Sequence, residues 1–218
     1  MEDYIRTSYQ SNSATKLSKK FVSSIVLAAG FSTRMSLGNK LLLKNKNSVP
    51  LLQETLENVI ASKTSEVIVV TGHNHSKISE ILKTKECKII LNKNYKNGIS
   101  NSIVAGVKAL NKKSQGVMIC LGDMPNISTD TYNTLIENFL SSKKKAIVVP
   151  YYKKRQANPI IFDSFFFKRL LKVSGDDGAK YLLHENQENI NAIKVQDPGV
   201  IKDIDNKKDY LSYMEKSN

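Results

Sequence analysis

Val22-Ser23-Ser24-Ile25-Val26-Leu27-Ala28-Ala29-Gly30-Phe31-Ser32-Thr33-Arg34-Met35-Ser36-Leu37-Gly38-Asn39-Lys40 decides how this chain is read. Val22 to Ala28 is a mostly apolar run that stops at Ala29-Gly30, the pattern of a short strand buried on both faces. A loop follows, not a helix. It sets small residues where the strand ends, then a hydroxyl, an arginine, a glycine and a lysine. Such a segment can wrap a polyphosphate: Ala and Gly admit close backbone approach, successive N–H groups form an anion nest, and Arg34 and Lys40 neutralise charge. An ordinary Gly-containing turn would read the same way on residues alone. The segment is neither a Walker A loop nor a G-x-G-x-x-G dinucleotide fingerprint.

Working outward, helical spacing over Leu51 to Ala61 gives way to a strand at Glu66 to Thr71 and a short helix at Ser76 to Leu82. The alternation continues with Cys87 to Leu91 (strand), Ser100 to Leu110 (helix), Gly116 to Leu121 (strand), Thr129 to Leu140 (helix) and Ala146 to Pro150 (strand). Apolar strands alternating with helices predict an α/β fold of three layers, a mostly parallel Rossmann-like sheet with helices on both faces. The second half reads differently: Arg155 to Phe162 as extended, Asp163 to Leu171 and Gly178 to Glu185 as helices, Ile190 to Val195 as a strand, and Asp209 to Met214 as a closing helix. Without an internal repeat or linker, residues 21–218 read as one domain, preceded by a polar tail over residues 1–20 whose composition predicts disorder.

At 218 residues, 40% hydrophobic and 24% charged, the chain falls in the range of ordinary globular proteins and can bury a core without disulfides or metals. Cys87 and Cys120 lie in apolar runs and form no C-x-x-C, so they read as buried free thiols of a reducing compartment. No apolar run is long enough for a membrane span and the first residues lack a signal-peptide core, which predicts a cytoplasmic protein. The net charge of +13 raises nucleic acid as a partner. Its lysines are scattered, though, and no zinc-finger, helix-turn-helix or RNA-recognition pattern is present, so the expectation is an anionic small substrate instead.

In open α/β sheets ligands bind beyond the carboxyl ends of the strands, so the loops there should carry the chemistry. Gly122-Asp123-Met124-Pro125 places a carboxylate at the tip of a buried strand, where it could hold Mg²⁺ or merely start a turn. Asn97-Gly98-Ile99-Ser100-Asn101-Ser102-Ile103-Val104-Ala105-Gly106 opens a helix with hydroxyls, which N-terminal capping alone would explain. Late in the chain Asp203-Ile204-Asp205-Asn206-Lys207-Lys208-Asp209 groups carboxylates at a helix start, where they would also suit the helix dipole. His73 and His75 lack a third ligand and give no zinc site. Phe165-Phe166-Phe167 reads as helix core plus one surface ring.

Together these segments resemble the L-A-A-G-x-S-x-R-M-G…K, G-D-M-P and D-I-D-T-P-E-D motifs of the GT-A-like nucleotidyltransferases, particularly the molybdenum cofactor cytidylyltransferase group. The resemblance runs from about Val22 to Tyr210. It implies a nucleotide site of Leu27, Ala28, Ala29, Gly30, Ser32, Arg34, Lys40, Gly98, Ser102 and Asp123. Arg34, Lys40 and Asp123 would be catalytic, and Asp123 with Asp205 would hold Mg²⁺, Asp203 being the substitute for Asp205. Gly106 completes the G-x-x-x-S-x-x-x-G pattern. N-P-x-x-F and G-D-x-G-A-R segments imply acceptor contacts from Asn158, Asp177 and Lys180. Ser36 stands where the family has glycine, and a positive φ there would be costly. The implied reaction moves a nucleoside monophosphate, most simply CMP from CTP since Ala29 stands where guanylyl-transferring relatives have Gly, to an acceptor phosphate such as that of molybdopterin, releasing pyrophosphate. A sugar or polyol phosphate is the alternative acceptor. A nicotinamide-dependent oxidoreductase is the alternative of another class, since some relatives carry that label.

Overall fold

A computed structural model describes residues 21–142 and 145–216; the tail expected over residues 1–20 lies outside the described residues. Eight strands form one sheet: β1 (Phe21–Ala28), β2 (Glu66–Thr71), β3 (Lys88–Leu91), β4 (Ser114–Leu121), β5 (Ile147–Tyr152), β6 (Arg155–Gln156), β7 (Ile160–Asp163) and β8 (Ile190–Lys194). Their order is β3-β2-β1-β4-β7-β5-β6, with β8 also on β5. The pairs β1·β2, β1·β4, β2·β3 and β5·β8 are parallel.

The alternation expected of buried strands is explicit. Val22, Val26 and Ala28 of β1 join a core with Val67, Val69, Met118 and Cys120, while Ile25 and Leu27 join Ile68, Val70, Val117 and Ile119 on the other face. Helices α1 (Leu51–Ile60), α2 (His75–Leu82) and α4 (Thr129–Ser141) cover the first face. Helices α3 (Ile99–Lys108), α5 (Phe167–Leu170) and α6 (Lys180–His184) cover the second. The α4 stripe of Thr131, Tyr132, Leu135, Ile136 and Phe139 shows the 3.6-residue period that buries one side of each helix. The three-layer, mostly parallel architecture is therefore as read from the sequence.

The second half departs from expectation in its details. The extended run from Arg155 to Phe162 is broken at a cis Asn158–Pro159 bond into β6 and β7. Because the chain returns through a two-residue turn at Lys153–Lys154, β7 runs antiparallel between β4 and β5. The helix expected over Asp163 to Leu171 is a 3-10 turn at Ser164–Phe166 followed by the short α5, with the Asp163 carboxylate accepting from Phe165 N at 2.8 Å. Within it Phe166 is fully buried and Phe165 exposed. Of the two thiols only Cys120 is buried in the sheet; Cys87 precedes β3 and is half-exposed.

A third cluster joins Met35, Leu51, Ile204 and Tyr213, so the last helix, α7 (Lys207–Lys216), packs against the loop that follows β1. Among the described residues no helix is long and apolar enough to cross a membrane.

Candidate active site

The loop after β1 is shaped by its own side chains. Ser32 is left-handed at φ 57° and Gly38 at φ 100°; Ser36, which the sequence made suspect, is not among the positive-φ residues and carries no such strain. The Ser32 hydroxyl accepts from Lys40 N at 3.1 Å and donates to Asn39 Oδ1 at 3.3 Å. Asn39 Oδ1 in turn accepts from Leu41 N, and Asn39 Nδ2 donates to Asn74. Buried Met35 pins the middle of the loop. These contacts start a 3-10 turn at Lys40–Leu42 and direct Lys40 across the carboxyl ends of β1 and β4.

Opposite it stands Asp123, just past the end of β4. Gly122 N donates to Leu27 O at 3.0 Å, and a Cβ on Gly122 would lie 2.8 Å from that same oxygen, so only glycine lets the two strand ends approach. Ile204 N donates to Asp123 O at 3.1 Å, which carries Asp203 and Asp205 to the strand tip from the far end of the chain. Asp209, in the first turn of α7, fixes that segment by accepting from the backbone of Asp205 and Asn206.

Lys40 Nζ lies 2.7 Å from Asp205 Oδ1 and is also paired with Asp123; Arg34 reaches Asp205 Oδ2 at 2.8 Å. The side chains of Lys40, Asp123 and Asp205 are 15%, 14% and 17% exposed, against 72% for Arg34, so one cation is enclosed while the other reaches Asp205 from solvent. Burial works against the Lys40 ammonium, but Asp123 and then Asp205 outweigh it and hold the group above its ordinary pKa. Burial likewise raises Asp205, yet Lys40 and Arg34 keep it below the usual carboxylate value. Burial and the charges of Asp205 and Asp123 push Asp203 up. Oxygens of Asp123, Asp203 and Asp205 lie within 4.8 Å of one another, and the buried Asp123 Oδ1 has no hydrogen-bond partner. A three-carboxylate set with an orphaned oxygen suits a hard divalent cation such as Mg²⁺.

These groups form one end of a cavity of about 350 Å³. Of the residues expected to bind nucleotide, Leu27, Ala29, Gly30, Ser32, Arg34, Lys40, Gly98, Ser102 and Asp123 line it, as does Asp205. Ala28 does not: it points into the core. Nor does Gly106, which is glycine because α3 crosses β1 there and a Cβ would sit 2.7 Å from Ile25 Cγ2. Asn158, Asp177 and Lys180 also lie outside the cavity lining. Asp176 lines it instead, at the tip of a loop held over α3 by Ser100 N donating to Gly175 O at 3.3 Å. The spacing Gly175-Asp176-x-Gly178 fits G-D-x-G as written and could have singled out this residue over Asp177.

Sequence reasoning also missed an aromatic wall. Phe31 and Tyr95 line the cavity with ring centroids 5.1 Å apart, and His73 packs on Phe31 at 5.3 Å. No periodicity marks these rings, because they come from different strand-end loops.

A sequence model of the MobA-like NTP transferase domain matches residues 24–190. The chain belongs to this family. Among curated relatives, the MobA-like chain is 28% identical over 204 residues to the purine catabolism protein PucB of Bacillus subtilis, covering 85% of this chain and 92% of PucB. It is 25% identical over 189 residues to nicotine blue oxidoreductase of Paenarthrobacter nicotinovorans, covering 84% and 92%. Among solved structures, Rv0371c from Mycobacterium tuberculosis superposes with a TM-score of 0.81 at 23% identity, over 91% of this chain and 100% of the other. Its manganese complex superposes at 0.77 and 22% identity, over 90% and 100%. The fold is thus the GT-A-like nucleotidyltransferase fold, and the family's activity class is nucleotidyl transfer.

Proposed function

We propose that this MobA-like protein transfers a nucleoside monophosphate, CMP from CTP, to a phosphate-bearing small-molecule acceptor such as molybdopterin, releasing pyrophosphate. The observation that carries the reading is Lys40, an enclosed ammonium between two strand-end carboxylates at the foot of a glycine-lined loop. An acceptor phosphate oxygen would attack the α-phosphorus, forming one P–O bond as the bond to the pyrophosphate oxygen breaks, so the work is positioning and charge neutralisation. The backbone of Ala29 and Gly30, with Ser102 and Gly98 opposite, would receive the nucleoside. Exposed Arg34 would leave Asp205 for the β- and γ-phosphates. Lys40 would turn from its carboxylates to the α-phosphate, where negative charge builds. Asp123 and Asp205, aided by Asp203, would hold Mg²⁺, which supplies charge to the phosphates; the manganese complex of Rv0371c supports a divalent cation in this fold. The preference for CTP rests on Ala29.

The name of the nicotine blue relative keeps oxidoreduction as a second reading. Against it, the loop after β1 has no G-x-G-x-x-G, whereas its cations suit a triphosphate. A thermal-shift panel of CTP, GTP, ATP, UTP and NADPH, each with and without Mg²⁺, tests both, since a ligand at 100 Kd adds about 2.7 kcal/mol of stability. Mg²⁺-dependent stabilisation by CTP that vanishes in Asp123→Ala is the expected result. A different triphosphate would replace the donor, and a response to NADPH alone would overturn nucleotidyl transfer.

A further inference from the structure

The turn between β5 and β6 is built against local preference. A two-residue hairpin loop with both central residues at positive φ favours Asn-Gly, yet here Lys153 and Lys154 occupy φ 46° and 67°. Arg155 follows, and all three are exposed. Among the described residues none of them makes an ion pair; the Lys153 ammonium lies over the Tyr152 ring, 5.4 Å from its centroid. Adjacent like charges on strained backbone cost stability, and strain of this kind points to a use outside folding.

The register says where these charges stand. Met118 of β4 and Val148 of β5 both face Ile161 of β7, so they share one level of the sheet. Since β7 is antiparallel to both, β4 and β5 run the same way. Counting along them brings Lys153 level with Asp123, two strand spacings away, roughly 10 Å. Arg34 and Lys40 reach the carboxylates from the other side, since β1 flanks β4 opposite β7. An acceptor phosphate approaching from the β5 side meets Asp123, Asp203 and Asp205 and needs cations to offset them. The hairpin brings three.

We propose that Lys153-Lys154-Arg155 is an anion-holding arm on the acceptor side of the site, taking the phosphate, or a second anionic group, of a phosphorylated small-molecule acceptor. This rests on the nucleotidyltransferase reading, in which Arg34 and Lys40 are committed to the donor. Lys96, the third cation lining the cavity, stands in the turn that leads into α3, so the arm places a charge of the acceptor over β5 rather than over α3.

The test uses the full ¹⁵N-labelled chain with Mg²⁺ and α,β-methylene-CTP in the donor site, titrated with inorganic phosphate at constant ionic strength. Saturable shifts at the 153–156 amides are expected. Lys153→Asn with Lys154→Gly, the turn sequence the backbone prefers, should weaken that phosphate binding about tenfold. It should also raise the melting temperature and leave the affinity for the analogue unchanged. Lys153→Arg with Lys154→Arg should retain phosphate binding, which a merely structural role would not predict. Equal phosphate affinity in the Asn-Gly protein, or hairpin shifts reproduced by chloride, would overturn the arm. If the analogue leaves the 29–40 amides unmoved, the donor reading fails on its own, and the phosphate titration repeated without nucleotide still decides the hairpin.

Discussion

The proposed reaction gives Lys40 a second job that conflicts with the one the structure shows, and the conflict makes its role measurable. Between Asp123 and Asp205 it neutralises a cluster of three carboxylates, whereas in the reaction it would stabilise charge on the α-phosphate. Lys40→Ala should lower kcat on the order of 10²-fold or more, as removal of one preorganised charge stabiliser does. The same variant should bind Mn²⁺ at least as tightly as wild type in the absence of nucleotide, because the cluster loses a competing cation; titration calorimetry checks this, and weaker Mn²⁺ binding would mean that Lys40 organises the carboxylates. Gly98 makes a different residue-level case. At φ 91°, with Asp176 Oδ1 2.5 Å and Gly175 O 2.7 Å from where a Cβ would lie, it is where the Gly175–Gly178 loop rests on α3. Gly98→Ala should cost about 1–3 kcal/mol from a positive-φ, extended backbone that is essentially reserved for glycine and weaken nucleotide binding as the loop lifts, read by urea unfolding and by nucleotide titration. The resemblance singled out Arg34, Lys40, Asp123 and Asp205, and the structure brings all four together; their residue types alone fitted an ordinary turn and a helix start equally well. Asp176 and the Phe31–Tyr95 wall were not singled out, because what distinguishes them is which way a loop turns.

At the scale of elements, strand ends and helix starts place the site, and single carboxylates fix them. Asp197, just after β8, accepts from Ser128 N at 2.9 Å, Thr131 Oγ1 at 2.7 Å and Gly199 N at 2.8 Å, tying the start of α4 to the turn that leads on to Asp203. Burial raises this carboxyl, but those donors outweigh it and hold it below its ordinary value. A depressed acid contributes its stability above its unfolded pKa and loses it as pH falls through the folded one. Asp197→Asn should therefore cost about 2 kcal/mol at pH 7, and the gap to wild type should stay constant down to about pH 4 and close below it. Unfolding curves across pH 2.5–7 would show it; a gap that widened on acidification would contradict the assignment. The strands and helices of the first half follow from their periodicity within a residue or two, since each is decided by which face it buries. The β6–β7 region was harder: an extended sequence does not state whether it pairs parallel or antiparallel, and the Lys153–Lys154 turn settles that.

Across the whole molecule, the last helix stabilises the first loop. Tyr213 of α7 shares a buried cluster with Met35, and its hydroxyl donates to Glu54 of α1, while Tyr210 OH donates to Lys44 O at 2.7 Å. Tyr213→Ala should cost about 3 kcal/mol, as truncating a buried aromatic does, and should also weaken nucleotide binding. Leu135→Ala, in the core far along the chain from the loop, should lose comparable stability with nucleotide affinity intact, which calorimetry on the two proteins would separate. The sequence by itself determined the layers and the strand-end placement of the loops, because hydrophobic periodicity is a local property, and the resemblance of its motifs pointed to Arg34, Lys40, Asp123 and Asp205 within those loops. Tertiary structure alone decided that Lys40 is shared by Asp123 and Asp205, that Asp176 and the aromatic rings wall the cavity, and that a basic hairpin stands level with Asp123. Those are relations between segments distant in the chain, and only the register of the sheet and the packing of helices on it bring such segments together.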